Sequence, residues 1–430
     1  MGGYNLFRGE HASYNPILMN QILKEEWQWD GVVISDWGAV HDTHTAIIGG
    51  LDMEFGSWTD GLTEGTSNAY DNYWLANPYL KGIKEGIYTD KELNEKVRRV
   101  LRLTFRTAMN NDRPWGSMVS DAHKTACRKI GEEGIVLLQN NANLLPINLS
   151  KVKRIAVIGE NAIKMMTVGG GSSSLKVKYE VTPLEGLKKR IGKQAEIIYA
   201  RGYVGDPTGE YNGVKTGQNL KDDRSPKELR TEALQVASNA DIVLFIGGLN
   251  KSEYQDCEGT DRKTMDLPYN QNELIMDLLQ VNKKLVVINI SGTGVAMPWK
   301  NHVSTILQAW YLGSETGNAL ASILMGDVNP SGKLPYTYYA CPDQCGAHKL
   351  GEYPGHKGMD VLGNEVYDIP YNEGLFVGYR FIDKNKLKPN FPFGHGLSYT
   401  TFEYGKAKVN SKAIEKLSLI HIPSPRDMRR

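Results

Sequence analysis

Asp36 heads a polar turn that follows Gly31-Val-Val-Ile-Ser35, a run of β-branched residues with no polar alternation. Such a run reads as a parallel strand covered on both faces. In α/β folds reactive side chains sit just past the carboxyl ends of these strands. A carboxylate there could act as nucleophile or base, or it could cap the helix expected to start near Val40, and the local pattern weighs the two equally. His41 and His44 follow with helical spacing but without a third ligand, which argues against a metal. Gly169-Gly-Gly-Ser-Ser-Ser174 and Ser291-Gly-Thr-Gly294 have neither the dinucleotide spacing nor a following Gly-Lys-Ser, so they do not read as phosphate cradles. No metal or organic cofactor is implied.

A second loop rich in carboxylates lies far downstream, Glu253-Tyr-Gln-Asp-Cys-Glu-Gly-Thr-Asp-Arg262. Composition does not choose among Glu253, Asp256, Glu258 and Asp261. Taken together, Met1-Gly-Gly-Tyr-Asn5, Glu26-Trp27, Gly31-Val-Val-Ile-Ser-Asp-Trp-Gly38, Gly50-Leu-Asp-Met-Glu54 and Cys257-Glu-Gly-Thr-Asp-Arg262 with Leu267-Pro268 resemble glycoside hydrolase family 3. The resemblance implies that Asp36 attacks the anomeric carbon and Glu258 serves as acid/base. It further implies that Tyr4 and Trp37 meet the sugar of the nonreducing end, where a ring can face its C–H side, and that Ser172 in the Gly169–Ser172 loop comes near it. The residue-level alternatives are that Tyr4 and Trp37 are barrel core, that the glycines serve only to turn the chain, that Glu253 and Asp256 are solvated, and that Asp261 pairs with Arg262.

The elements that must position these groups follow from periodicity. Met1–Asn5, Gly31–Ser35 and Gly50–Phe55 are expected as strands, and 15–27 as a helix with Ile17, Leu18, Ile22 and Leu23 on its apolar side. Asp90 onward is amphipathic, with Leu93, Val97, Val100, Leu101 and Thr104 on one face, Thr89 or Asp90 as cap, and a charged face expected in solvent. Residues 1–110 resemble the last part of a (β/α)8 barrel, 111–122 read as a linker, and 123–398 as a mostly parallel three-layer α/β sandwich. Its expected strands are Gly134–Leu138, Arg154–Gly159, Ile197–Tyr199, Ile242–Gly248, Leu285–Ile290 and Thr305–Trp310, with helices at Pro226–Ser238 and Asn270–Val281. Tyr371–Arg380 and Phe391–Thr400 resemble the family's passage into a fibronectin-III-like domain, begun at 399–417, and 418–430 match nothing in the family and read as a non-native tail.

Composition bounds the partners. A 430-residue chain with 40% hydrophobic residues can bury more than one core, and its net charge of +1 gives no electrostatic reason to expect nucleic acid or a membrane surface. The four cysteines are too scattered for a disulfide framework; they read as free thiols, with a Cys341–Cys345 bridge as the one pairing their spacing allows. The family resemblance implies a retaining, exo-acting β-glycoside hydrolase that releases terminal β-D-glucose from an oligosaccharide or glucoside; oligomeric state is not indicated. Two alternatives stand beside it: a β-xylosidase of the same family, and a non-catalytic carbohydrate-binding or scaffold protein. The family resemblance also implies barrel units and hydroxyl-binding residues upstream of Met1, which makes this chain by itself an inactive fragment, and a secreted or periplasmic setting.

Overall fold

Six short apolar runs build a single mixed sheet: β1 (Val136–Asn140), β2 (Arg154–Ile158), β3 (Glu196–Ala200), β4 (Ile242–Gly248), β5 (Leu285–Ile290) and β6 (Thr305–Gln308). The computed structural model describes residues 1–56, 73–205, 210–211, 214–359, 363 and 365–406. The sheet order is β1-β6-β5-β4-β2-β3, parallel throughout except for β1, which runs antiparallel to β6. Because side chains alternate across a strand, each run feeds two apolar layers. Val243, Phe245, Leu285 and Val287 pack against Ala233, Leu274 and Leu278, whereas Leu244, Ile246, Val286 and Ile288 pack against Leu187, Leu320 and Ile323. All six expected strands are present, shifted by at most two residues at their starts.

The described residues fall into two compact units, Met1–Ser120 with Pro342–Leu387, and Asp121–Cys341 with the chain from Lys388 onward. Residues 342–387, expected inside the sandwich, therefore group with the first unit. The second unit begins with a helix at Asp121–Gly134, so the expected 111–122 linker ends at residue 120. Its chain leaves beside the point where it returns: Tyr338 N–H donates to Phe391 O at 2.8 Å and Asn390 N–H to Tyr338 O at 2.9 Å. The expected start of the fibronectin-like domain at 399–417 lies mostly, and the tail at 418–430 wholly, outside the described residues. All four cysteines are free, so the Cys341–Cys345 bridge is not formed.

In the first unit the expected strands Met1–Asn5, Gly31–Ser35 and Gly50–Phe55 do lie side by side, but not as a ladder. Gly2 N–H donates to Ile34 O at 2.8 Å and Ser35 N–H to Met53 O at 3.0 Å, with one isolated parallel bridge, Ile34 to Met53. Val33 O accepts from both the Asp52 and Met53 amides, at 3.0 and 3.1 Å, and side chains take further positions. Asp52 Oδ2 accepts Val33 N–H at 2.8 Å, and Ser35 Oγ accepts Phe55 N–H at 2.8 Å. The helix expected at 15–27 spans Ile17–Glu26 and is wound wide, Trp27 N–H reaching back five residues to Ile22 O at 3.0 Å. Asn15 Oδ1 caps it, accepting from the Ile17 and Leu18 amides at 3.0 and 3.2 Å.

The helices α1 (Thr43–Ile48), α2 (Asn77–Lys84) and α3 (Asp90–Arg106) follow, and α3 reverses the expected polarity. Its charged face supplies the buried residues, Lys96 at 7% exposure and Arg99 at 9%, while Val97 and Leu101 are 45% and 47% exposed. The cause is a set of carbonyls that need cations. Lys96 Nζ donates to Ile47 O at 3.0 Å and to Leu51 O at the end of α1, where the helix dipole is negative. Arg99 donates to Gly31 O at 2.9 Å and to Trp29 O at 3.2 Å.

Burial pulls the Lys96 ammonium down to about 8 from its ordinary 10.5, against the opposing pull of Asp52. The folded chain thus sheds this proton first, while the unfolded chain keeps it up to about 10.5, so the stability of this unit is expected to rise between pH about 8 and about 10.5. Lys24, also shifted down by burial, adds in the same direction. The gain is up to about 3 kcal/mol. Urea midpoints across that pH range measure it, and Lys96→Met should flatten the rise; an unchanged slope in the variant would exclude Lys96 as its source.

Candidate active site

The two candidate carboxylates stand on different units. Asp36 follows Ser35 directly, and its Oδ1 accepts the Trp37 N–H at 2.8 Å. It does not cap the next helix: α1 starts at Thr43, and Asp42 is its cap, Oδ2 accepting from the Thr45 amide at 2.6 Å and the Thr45 hydroxyl at 2.7 Å. That removes the structural alternative for Asp36. Tyr4 and Trp37 lie beside it. The Tyr4 hydroxyl donates to Trp37 O at 2.7 Å, and the Trp37 ring stacks on Phe55 with centroids 5.6 Å apart. Tyr4 is 55% and Trp37 59% exposed, so neither ring is core. Gly56 makes room for the indole: with φ of 62°, a Cβ there would come within 2.1 Å of Trp37 Cδ1. Farther on, the His41 ring stacks against His11 at 4.2 Å. No group of three or more His, Cys, Asp or Glu placed to hold a metal occurs among the described residues.

In the second unit the strand order sets the site. β2 leads on to β3 on one side, and its other neighbour β4 leads on to β5 on the far side, so the connections diverge between β2 and β4, the switch point where such sheets bind ligands. The loops after those two strands meet there. Asn161 Nδ2, after β2, donates to Leu249 O, after β4, at 3.0 Å. The Glu258 amide donates to Gly170 O at 2.7 Å, and the Glu258 carboxylate accepts the backbone N–H of Ser172.

The three glycines are dictated by this approach. Gly169, Gly170 and Gly171 have φ of 96°, 142° and 133°, and a Cβ on Gly171 would lie 2.4 Å from Glu258 Cβ. The glycine-rich loop thus both turns the chain and grips the carboxylate. Ser172 touches Glu258 through its backbone, a role its position in the sequence did not reveal.

Of the competing carboxylates, Glu253 is exposed, but Asp256 is not a solvated group. It accepts three hydrogen bonds, from the Gly292 amide at 2.7 Å, the Thr293 hydroxyl at 2.8 Å and the Tyr311 hydroxyl at 2.9 Å. Arg262, expected to pair with Asp261, donates to Gly294 O at 2.6 Å. Residues of this loop that sequence reasoning passed over are Asn250, which orders its start by accepting Ser252 N–H at 2.8 Å, and Gln255, which donates to the Tyr269 hydroxyl at 2.6 Å.

The second unit is therefore a doubly wound α/β domain with a gripped carboxylate at its switch point. The sequence model of the glycosyl hydrolase family 3 C-terminal domain matches residues 135–399, which take in the whole six-stranded sheet and also the segment 342–387 that groups with the first unit. The chain belongs to glycoside hydrolase family 3. It is 46% identical over 422 residues to β-glucosidase BoGH3A of Bacteroides ovatus, covering 96% of this chain and 54% of that protein. Thermostable β-glucosidase B of Acetivibrio thermocellus is 35% identical over 422 residues, covering 98% of this chain and 50% of that protein. Among solved structures, β-glucosidase from Kluyveromyces marxianus in complex with glucose superposes with a TM-score of 0.74 at 25% identity, covering 92% of this chain and 62% of that one. The chain spans about half the length of the curated relatives it matches.

Proposed function

We propose that this protein acts as a retaining, exo-acting β-glycoside hydrolase that releases terminal β-D-glucose from oligosaccharides or glucosides. The observation that carries the reading is the Glu258 carboxylate, gripped by the Ser172 amide and a glycine turn at the switch point of the sheet. A protein that only binds sugar has no need of an acid held this closely. In this reading Asp36 attacks the anomeric carbon while Glu258 protonates the departing glycosidic oxygen. Glu258, now ionised, then takes a proton from the water that displaces Asp36, and two inversions give net retention. Retention requires the two carboxyls to come about 5–5.5 Å apart in the working enzyme.

Tyr4 and Trp37 are exposed aromatic residues beside Asp36, a side-chain type suited to the C–H side of a terminal pyranose. Ser172, on the gripping loop, stands next to the acid and is the third sugar contact of this reading. The first unit is assigned as part of a (β/α)8 barrel, and the chain after residue 398 as the start of a fibronectin-III-like domain. The β-glucosidases among the relatives support glucose over xylose as the sugar released.

The test is a series of aryl and alkyl β-glucosides with Glu258→Ala, in the enzyme expressed from its complete gene. Poor leaving groups should lose about 10²–10⁴-fold in the glycosylation step and dinitrophenyl glucoside far less, since a good leaving group needs little protonation. A uniform loss across the series would remove Glu258 from the acid role. Proton NMR of the first-formed sugar should show the β-anomer; the α-anomer would overturn retention.

A further inference from the structure

The loop that carries Glu258 leaves β4 at Gly248 and runs on until the helix Gln271–Val281 begins. An exposed acid on such a loop needs the loop itself held: bonds at Leu249, Asn250 and Gln255 order its start, and the stretch that reaches Glu258 needs its own anchor. Asp256, two residues before Glu258, supplies the fixing. Its Oδ2 accepts the Gly292 amide at 2.7 Å and the Tyr311 hydroxyl at 2.9 Å, its Oδ1 accepts the Thr293 hydroxyl at 2.8 Å, and its own amide donates to Asn250 O at 3.1 Å. Gly292 and Thr293 follow β5, and Tyr311 follows β6. One carboxylate thus fastens the loop after β4 to the loops after the next two strands of the sheet.

The fastening closes on the acid itself. Lys251 Nζ stands 3.5 Å from the centre of the Tyr311 ring, and the Lys251 stem lies against Gly170, where an added Cβ would meet its Cβ at 3.1 Å. Gly170 O in turn accepts the Glu258 amide at 2.7 Å. The ring of contacts therefore runs Asp256, Tyr311, Lys251, Gly170, Glu258 and back along two residues of chain. Tyr311 also packs against the apolar layer of Leu244, Ile246 and Ile288, so its bond to Asp256 ties the loop to a packed part of the sheet.

We propose that Asp256 is the positioning residue for Glu258, setting where its proton can be delivered; this rests on the acid/base reading of Glu258. The experiment compares Asp256→Ala with Glu258→Ala on the same leaving-group series, in the enzyme expressed from its complete gene. Asp256→Ala should cost about a hundredfold in kcat/KM on alkyl glucosides yet stay within about threefold of the parent on dinitrophenyl glucoside, which needs no proton. Thr293→Val and Tyr311→Phe each remove one partner without touching the carboxylate. They should show the same bias at roughly three- to tenfold, which keeps the test open if Asp256→Ala folds poorly. Equal losses across the series, or none, in Asp256→Ala and both partner variants would overturn the positioning role while Glu258→Ala still showed its bias. If Glu258→Ala itself showed no bias, the acid/base reading and this proposal would fall together.

Discussion

Asp36→Gly, made in the enzyme expressed from its complete gene, should lose turnover by about 10⁴-fold or more, which is about 5.5 kcal/mol of barrier. Azide or formate should restore a part of it. The variant leaves a space where the nucleophile stood, and a small anion can enter it and attack the anomeric carbon. The product with azide is then α-glucosyl azide, since one displacement inverts what two retain. The loss is expected to be chemical rather than structural. Among the described residues the Asp36 carboxylate accepts an exposed amide contact from Trp37, and the cap of α1 is Asp42, so neither the cap nor a buried bond there rests on it. A variant that kept a tenth or more of the parent rate, or an azide product of retained configuration, would remove Asp36 from the nucleophile's role.

A second large effect is expected from a single methyl group. Gly171→Ala would set a Cβ 2.4 Å from Glu258 Cβ and 2.5 Å from Glu258 Oε2, at a backbone φ of 133° that an L side chain rarely adopts. The neighbour cannot simply swing aside, because the Glu258 amide is bonded to Gly170 O at 2.7 Å. Either the turn unwinds or the acid is displaced, and both move the proton donor. The expected result is a loss of about 10²–10³-fold on glucosides with poor leaving groups. Strain of roughly 1–3 kcal/mol should appear as a modest fall in melting temperature, because the loop is at the surface. Parent-like rates on an alkyl glucoside would mean that the glycine turn does not hold the acid.

The sheet of the second unit was legible because strands buried on both faces announce themselves: Ile242–Gly248 and Leu285–Ile290 are apolar runs too short for helices, bounded by turn residues. What stayed hidden depended on partners distant in sequence. Asp256 looks like any solvated loop carboxylate, and its ligands lie 36 and 55 residues away. The polarity of α3 was hidden for a related reason. Periodicity finds two faces but does not say which is covered, and here the carbonyls at the end of α1 and at Trp29 and Gly31 draw Lys96 and Arg99 inward. Gly31–Ser35 carried a strand's composition, yet Asp52 and Ser35 side chains take bonds that a strand ladder would use. The carboxylates themselves were separated from their competitors only by motif. Geometry then removed helix capping for Asp36 and gave the Glu258 carboxylate its partner at Ser172.

The place of β1 in the sheet bears on how the chain is made. This strand is the earliest of the six in the chain, but its neighbour is β6, the last of them, with Thr305 paired to Asn140. During synthesis Val136-Leu-Leu138 therefore emerges without a pairing partner and waits while about 170 further residues are added, on the order of ten to thirty seconds at common elongation rates. The parallel strands β2 to β5 can pair with one another in that interval; β1 cannot join them, because β6 must dock first. An apolar segment with a strand's composition held open for that long is a natural target for a holding chaperone. It makes the yield of folded protein depend on how quickly the ribosome reaches residue 308.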